Sequence, residues 1–405
     1  MERFVLWLAL ALWQQPDPSA EGIKALDARD YAAAEAAFLK ASESDPKDYS
    51  AWFHLALARS FLGKRAETIA GYRKALELKP GLYEAQMNLG IVLLGEKKPV
   101  EAIPLLQSAA QSKPAEFRPN YYLGEALLAS GDGARAEKHF EAALIADAKS
   151  APATLGLARA MARQNRLAEA APKFRAAVAQ DPSYKDALLE LAALHEKNAQ
   201  PAEAIAIYEQ FRDNPAVCER LGALLIEAGR PGEAVAPLEF AVERSPSAAN
   251  RVALATAYLR NRQPEKALPL MEKALASSPD SLDLRMMYGR MLRDQKQYRA
   301  AAQQFAAVAQ KRPEAREAWS ELAAMLNLLE MYPQALEAFD KLEALGESGA
   351  ALYYFRAIIQ DRLKQHERAL SNYATFLQRS EGKYPDEEFK ARQRIRILKK
   401  EASKR

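Results

Sequence analysis

Apolar and polar positions along the chain follow the spacing of helices with one buried face. One stretch places Leu89 and Leu93 one turn apart, and after a short break it places Ala102, Leu106 and Ala109 at intervals of three and four. No stretch alternates apolar and polar residues with the Val, Ile and Thr enrichment typical of a β-strand. The pattern predicts an all-α protein.

Prolines recur with a nearly constant period. Pro46, Pro80 and Pro114 are 34 residues apart, and Ala148 takes the next place in the series. The series continues at intervals of 34, 33, 31, 33 and 34 with Pro182, Pro215, Pro246, Pro279 and Pro313. Because proline has no N–H and restricts the residue before it, we expect each one to end the second helix of a helix pair.

Small residues recur inside the same period. Glycines follow a leucine or tyrosine in the first helix, at Gly90, Gly124, Gly222 and Gly289. We expect each to lie where the first helix approaches the second most closely. The alanine of an Ala-x3-Phe pattern such as Ala136 to Phe140 should face it, and the aromatic one turn later should fill the groove.

This pattern resembles the tetratricopeptide repeat (TPR) over roughly residues 20–383. The chain is similar to bacterial exported proteins with many such repeats. The resemblance implies an all-α solenoid of about eleven helix-turn-helix repeats in a right-handed superhelix. The repeats begin near residues 15, 49, 83, 117, 151, 185, 215, 248, 282, 316 and 350.

The expected organisation has three parts. Residues 1–15 form a signal peptide or apolar N-terminal segment, residues 16–383 the repeat array, and residues 384–405 a basic capping helix. The sixth repeat is short, the tenth ends in Leu345-Gly346 without a proline, and the eleventh has Arg356 where leucine is usual.

The N-terminal segment carries the targeting signal. The apolar run from Phe4 to Trp13 is too short to span a bilayer and has the length of the apolar region of a secretory signal peptide. We therefore expect export to the periplasm. The alternative is a cytoplasmic protein whose apolar start is a capping helix.

Composition argues against chemistry by the chain itself. The net charge is +4 in 405 residues, Cys218 is the only cysteine, and the four histidines fall in different repeats. No phosphate-binding loop, zinc motif or nucleophile elbow occurs. We expect no enzyme activity, no metal and no cofactor.

The strongest charge feature is a basic run at the C-terminus, comprising Lys390, Arg392, Arg394, Arg396, Lys399, Lys400, Lys404 and Arg405. It would suit an anionic lipid surface, nucleic acid or an acidic partner, or it is the solvated face of the capping helix, which is the favoured interpretation. Membrane contact is expected only through this helix or the N-terminal segment, and no nucleic acid is expected.

The resemblance implies that partners bind the concave face, at positions 2, 5, 6, 9, 12 and 13 of each first helix. Arginine and tyrosine, which are favoured at interfaces, occupy many of these positions. The candidates are Arg118, Tyr121, Tyr122, Arg159, Arg163, Arg290 and Arg293.

The predicted function is that of a protein-interaction scaffold or adaptor, which binds another protein or an extended peptide segment in this groove. The alternatives are a periplasmic component of envelope or exopolysaccharide biogenesis and a cytoplasmic adaptor of the same fold.

Overall fold

The computed structural model describes residues 17–402. The apolar run Phe4–Trp13, and with it the signal-peptide prediction, lies outside the described residues, as do Lys404 and Arg405. The described residues form helices, turns and bends and contain no β-strand. They divide between two compact units, one ending at Ile207 and the other beginning at Tyr208.

The first unit contains six helix pairs. Its helices are α1 (Pro18–Asp27), α2 (Tyr31–Ser44), α3 (Tyr49–Phe61), α4 (Arg65–Leu78), α5 (Tyr83–Gly95), α6 (Pro99–Ser112), α7 (Phe117–Ala129), α8 (Gly133–Ala146), α9 (Ala151–Arg163), α10 (Leu167–Gln180), α11 (Ala187–Lys197) and α12 (Pro201–Tyr208), the last residue of which belongs to the second unit.

The second unit contains five pairs and one further helix. Its helices are α13 (Pro215–Glu227), α14 (Pro231–Arg244), α15 (Ala248–Arg260), α16 (Pro264–Ser277), α17 (Leu282–Asp294), α18 (Tyr298–Lys311), α19 (Arg316–Leu328), α20 (Tyr332–Ala344), α21 (Ala350–Arg362), α22 (His366–Ser380) and α23 (Pro385–Ala402). The odd-numbered helices up to α21 are the first helices of the pairs, called A helices below, and the even-numbered ones are the B helices. The prediction of about eleven repeats is confirmed.

Each B helix except α8, α12, α20 and α22 ends just before a residue that is followed by a proline of the series, as predicted. At the end of α4, for example, Lys79 is extended, with φ −134° and ψ 84°, and Pro80 follows it. A residue before proline is disfavoured in the helical region, so the helix stops there. Pro215 does not follow the end of a B helix, but it lies at the predicted start of the seventh repeat. It begins α13 behind the N-cap Asn214, because the shortened B helix α12 has already ended in a 3₁₀ turn, Glu209–Phe211.

The turn from A helix to B helix places one residue in the left-handed conformation in every pair. These residues are Arg29, Gly63, Lys97, Gly131, Asn165, Ala199, Gly229, Arg262, Lys296, Glu330 and Lys364. At the end of α3, the N–H of Lys64 donates to the carbonyl of Arg59 at 3.0 Å across this residue, which is the hydrogen bond of a Schellman motif. Only three of the eleven are glycine, although glycine adopts this conformation at the lowest energetic cost.

The predicted close approach at the A-helix glycines is confirmed, and of the two residues expected there the large one makes the contact. A Cβ atom on Gly90 would lie 2.6 Å from Leu106, and one on Gly289 would lie 2.6 Å from Phe305. The facing residue is therefore the leucine or aromatic of the Ala-x3-Phe pattern and not the alanine. The large side chain enters the space that the glycine leaves, so helices A and B pack closely around it.

The eleventh repeat accommodates its unusual arginine through ion pairs. Arg356 of α21, which is largely buried, donates to Asp340 of α20 at 2.7 Å and to Glu343 of the same helix. Both carboxylates are more exposed than the arginine. A charge at a core position is tolerated here because it is paired toward the surface.

Helix α23 covers the last repeat. It begins at Pro385, as predicted for proline at the first helical position, and Ala391 and Leu398 on one face are fully buried. Arg394 donates to Asp361 of α21 at 2.9 Å through Nη2. The predicted capping helix is confirmed.

Candidate partner-binding surface

In the first unit, three of the candidate residues lie together on α7. The Tyr121 ring stacks on Phe117 with centroids 5.4 Å apart and meets Tyr122 edge-on at 5.2 Å. Burial, and then the nearby Glu125 carboxylate, raise the pKa of Tyr121. Arg118 on the same helix is exposed. The α7 surface is therefore an aromatic cluster with one exposed cation beside it.

Arg159 of α9 lies close to this cluster and joins it to the next repeat. Its Nε donates to Glu190 of α11 at 2.9 Å, and a second hydrogen bond reaches the same carboxylate through Nη2. Its charge lowers the pKa of Glu125, but burial outweighs this effect and raises that pKa overall. Thus Arg159 forms an ion pair with Glu190 and also attracts the half-buried carboxylate of Glu125.

Arg163 lies apart from these residues. It is the last residue of α9, and its side chain lies against the turn between α7 and α8. Its Cβ is 3.1 Å from the position that a Cβ on Gly133 would take. Arg163 is exposed, and its Nη2 would lie 3.7 Å from a Cβ on Gly131.

In the second unit, the two candidate arginines of α17 share a carboxylate of α19. Arg293 donates to Glu321 at 2.6 Å, and Arg290 approaches the same group at 3.8 Å while pairing with Glu317. These bonds run between neighbouring A helices. The sequence predicts Arg290 and Arg293 as partner-binding residues, and in the structure both also pair with carboxylates of the next A helix.

An apolar pocket of about 400 Å³ lies between α19, α20 and α21. Its floor is formed by buried Phe339, Leu342 and Leu352. At its mouth stand Leu328 and Phe355, which are 55% and 42% exposed. The rings of Phe339 and Phe355 stack with centroids 6.4 Å apart. This volume falls within the range of small binding pockets, about 300–1,000 Å³.

Polar groups stand at defined places around this pocket. Ser320, Asn327 and Glu347 line it, and the Asn327 carboxamide makes no side-chain hydrogen bond within residues 17–402. An apolar cavity with a few open polar groups can hold an apolar side chain and orient the chain that carries it.

The pocket opens where the repeat pattern is interrupted. Helix α20 ends at Ala344 without an extended residue and a proline after it. Gly346 instead adopts φ +86°, and Glu347 donates its N–H to the carbonyl of Leu342 at 3.0 Å. The loop then runs to Gly349 before α21 begins.

Sequence reasoning missed this pocket because it weighed only arginine and tyrosine. The available signal was the apolar residues at solvent-facing positions. Counted from residue 316, Leu328 is at position 13, and counted from residue 350, Phe355 is at position 6. Ser320, Ala324 and Asn327 fill positions 5, 9 and 12 of the same surface.

Other chemistry-bearing residues have structural partners. Cys218 is buried, its Sγ donates to the Arg212 carbonyl at 3.3 Å, and burial raises the pKa of its thiol.

Within residues 17–402, no three His, Cys, Asp or Glu side chains are grouped so that they could hold a metal ion. None of the helices of that part of the chain has the length and apolar character needed to cross a membrane.

Parts of the chain resemble several solved structures. The chain is 23% identical to MamA from MSR-1 over 41% of this chain and 95% of MamA, with a TM-score of 0.39. It is 23% identical to YrrB, described as a TPR protein with an unusual peptide-binding site, over 44% of this chain and 91% of YrrB, with a TM-score of 0.39. A TPR protein from Parabacteroides merdae is 17% identical over 68% of this chain and 97% of that protein, with a TM-score of 0.41.

One curated protein shares a short segment with the chain. The Vi polysaccharide export protein VexE of Salmonella typhi is 43% identical over 58 residues, which is 14% of this chain and 9% of VexE.

Family models cover more than half of the chain. One tetratricopeptide-repeat model matches residues 19–59, 121–185, 155–217, 252–315 and 292–349, and two others with the same description match residues 93–138 and 49–81. The matched segments fall within the helical array and include parts of both units. The chain belongs to the tetratricopeptide-repeat family.

Proposed function

We propose that this protein is a non-catalytic interaction scaffold that binds an extended segment of another protein on its A-helix surface. The observation that carries the proposal is the pocket between α19, α20 and α21. Leu328 and Phe355 are exposed at its mouth, although burying such side chains is favourable by about 1.5–3 kcal/mol each. An apolar side chain of the partner would fill the pocket.

The neighbouring polar groups suit a peptide rather than a free hydrocarbon. Asn327 offers both a donor and an acceptor to a peptide backbone, and Ser320 offers a hydroxyl. We propose that the backbone of the partner runs across α19 while one apolar side chain enters the cavity.

In the first unit, we propose a second contact area around α7 and α9. Tyr121 and Tyr122 present aromatic surface, and Arg118, Arg159 and Arg163 supply cations. Because Arg159 is already paired with Glu190, we expect Arg118 and Arg163 to contribute more to the binding of an acidic segment.

Site-specific photo-crosslinking tests the proposal in cells. A photoreactive amino acid at Leu328 or Phe355 should trap the same partner, because both line one pocket. The matched control is Ile145 of α8, which is 88% exposed and lies on a B helix. A partner trapped equally well from position 145 would contradict binding on the A-helix surface.

We propose further that the protein acts in the periplasm, on the basis of the apolar run Phe4–Trp13. An alkaline-phosphatase fusion to the first 40 residues is active only after export. An inactive but stable fusion would favour the cytoplasmic adaptor instead.

A second candidate function is a role in polysaccharide export, favoured by the segment shared with VexE. The aromatic cluster of Phe117, Tyr121 and Tyr122 would supply stacking surface for sugar rings. Quenching of tyrosine fluorescence by an anionic capsular polysaccharide, lost in Tyr121→Ala, would support it. No change at saturating polymer would exclude this binding mode.

A further inference from the structure

The outer face of α23 combines exposed apolar side chains with cations. Phe389 and Ile397, two turns apart, are 61% and 45% exposed. They point away from the face that buries Ala391 and Leu398 against the repeats. No helix or loop within residues 17–402 covers Phe389 and Ile397.

The charge of this segment is uniform. Residues 389–400 contain six cations and no carboxylate. Two of the cations serve the fold, since Arg392 pairs with Glu388 at 2.9 Å and Arg394 pairs with Asp361. Lys390, Arg396 and Lys399 are exposed and make no ion pair within the described residues.

Helical geometry places these groups together. At 100° per residue, the outer direction of α23 lies between Phe389 and Ile397, with Arg396 and Lys399 on one side and Lys390 on the other. Long basic side chains can extend sideways from such a face while the apolar groups point outward.

We propose that α23 binds the surface of an anionic lipid bilayer, with Phe389 and Ile397 entering the acyl boundary and Lys390, Arg396 and Lys399 contacting lipid phosphates. A basic helix with an apolar outer edge lies in the plane of the interface in this way. This site is separate from the pocket of the second unit and does not depend on the proposed scaffold function.

Charge complementarity selects this occupant. Cations flanking two apolar residues match a layer of phosphates above a hydrocarbon region. A single-stranded nucleic acid would need successive aromatic side chains for base stacking, and Phe389 is the only aromatic residue among residues 389–400. A helix face is convex, and a bilayer surface accommodates a convex face without a complementary groove.

Vesicle flotation with the full-length chain tests the proposal. The probes are phosphatidylcholine vesicles with and without phosphatidylglycerol, each at low and high salt. We expect binding that requires phosphatidylglycerol and weakens with salt. Lys390→Glu, Arg396→Glu and Lys399→Glu together should weaken it by at least about a hundredfold, and Phe389→Ser with Ile397→Ser by about tenfold or more.

A matched variant separates a specific site from net charge. Lys149→Glu, Arg175→Glu and Arg299→Glu reverse three exposed cations of other repeats and should leave vesicle binding unchanged. All variants retain residues 1–16, so differences between them report on α23. Circular dichroism should show the same helix content for each.

Three results would overturn the proposal. The first is equal binding to neutral and anionic vesicles, and the second is an equal loss in the matched variant. The third is salt-dependent retention on poly(U) with none on vesicles, which would assign the face to nucleic acid.

Discussion

The Phe140 ring of α8 occupies the space where a Cβ atom on Gly156 of α9 would stand. The same ring also lies against Gly124 of α7, where a Cβ would come within 2.9 Å of it. One aromatic side chain is thus held between a glycine of its own repeat and a glycine of the next. Because the ring packs against both repeats, the two consecutive helix pairs stack closely.

Gly156→Ala should lower the free energy of unfolding of the first unit. Overpacking against Phe140 costs about 1–3 kcal/mol, which exceeds the gain of up to about 1 kcal/mol from replacing glycine within a helix. Urea unfolding followed by circular dichroism measures the change. Gly95→Ala is the control, because nothing lies within 4 Å of its Cβ position, and it should stabilise or be neutral. Equal effects of the two substitutions would contradict this packing.

Ala199→Gly should stabilise the turn between α11 and α12. Ala199 has φ +54°, a conformation that costs an L-residue about 1–2 kcal/mol relative to glycine. Gly63→Ala at the equivalent turn should destabilise by a similar amount, since its surroundings are open and only backbone strain is added. Thermal unfolding should show a higher midpoint for Ala199→Gly and a lower midpoint for Gly63→Ala. A fall in stability for Ala199→Gly would show that the turn is not strained.

Glu125→Gln should raise stability at neutral pH and have no effect in acid. Burial raises the pKa of this carboxyl above its ordinary value of 4.5, so the charged form of Glu125 lowers the stability of the native protein. For a group with a raised pKa, stability falls as the pH rises through the native pKa, and the penalty is absent below the ordinary value. Unfolding midpoints across this range test the sign. A lower midpoint for Glu125→Gln at neutral pH would mean that attraction to Arg159 outweighs burial.

Arg356→Leu should be neutral or stabilising, whereas Arg356→Ala should destabilise. Leucine restores the usual core residue of the repeat, and the carboxylates that lose their partner, Asp340 and Glu343, are exposed enough to be hydrated. Alanine leaves a cavity, which costs about 2–5 kcal/mol at a fully buried site and less here. Chemical unfolding of the full chain measures both. A large loss for Arg356→Leu would show that the ion pairs hold α20 and α21 together.

The sequence was sufficient to predict the helix pairs because framework positions repeat with one period. The kinds of residue seen at Leu89, Gly90 and Leu106 recur in other repeats, and each kind occupies the same position of the helix pair. The end of α12 was not predictable in the same way, since a shortened repeat has no equivalent position for Pro215 to occupy. Spacing placed both the alanine and the aromatic of the Ala-x3-Phe pattern near the glycine, but it does not show which of the two meets it.

The candidate surface was only partly predictable. The family resemblance indicated the A-helix positions. The sequence could not show that Arg290 and Arg293 are paired across repeats, because their partners are 27 and 28 residues away. The pocket depends on the loop Leu345–Gly349 and on exposure of Leu328 and Phe355, which are tertiary properties.

The most direct test of the account is the affinity of the crosslinked partner segment for a variant with a filled pocket. Ala324 lines the cavity and is exposed, so Ala324→Trp should fill the pocket without disturbing the core. Calorimetry with the segment as a synthetic peptide should show binding at least about tenfold weaker for this variant, a loss of about 1.4 kcal/mol, with an unchanged thermal midpoint. Unchanged affinity would contradict the claim that this pocket binds the partner.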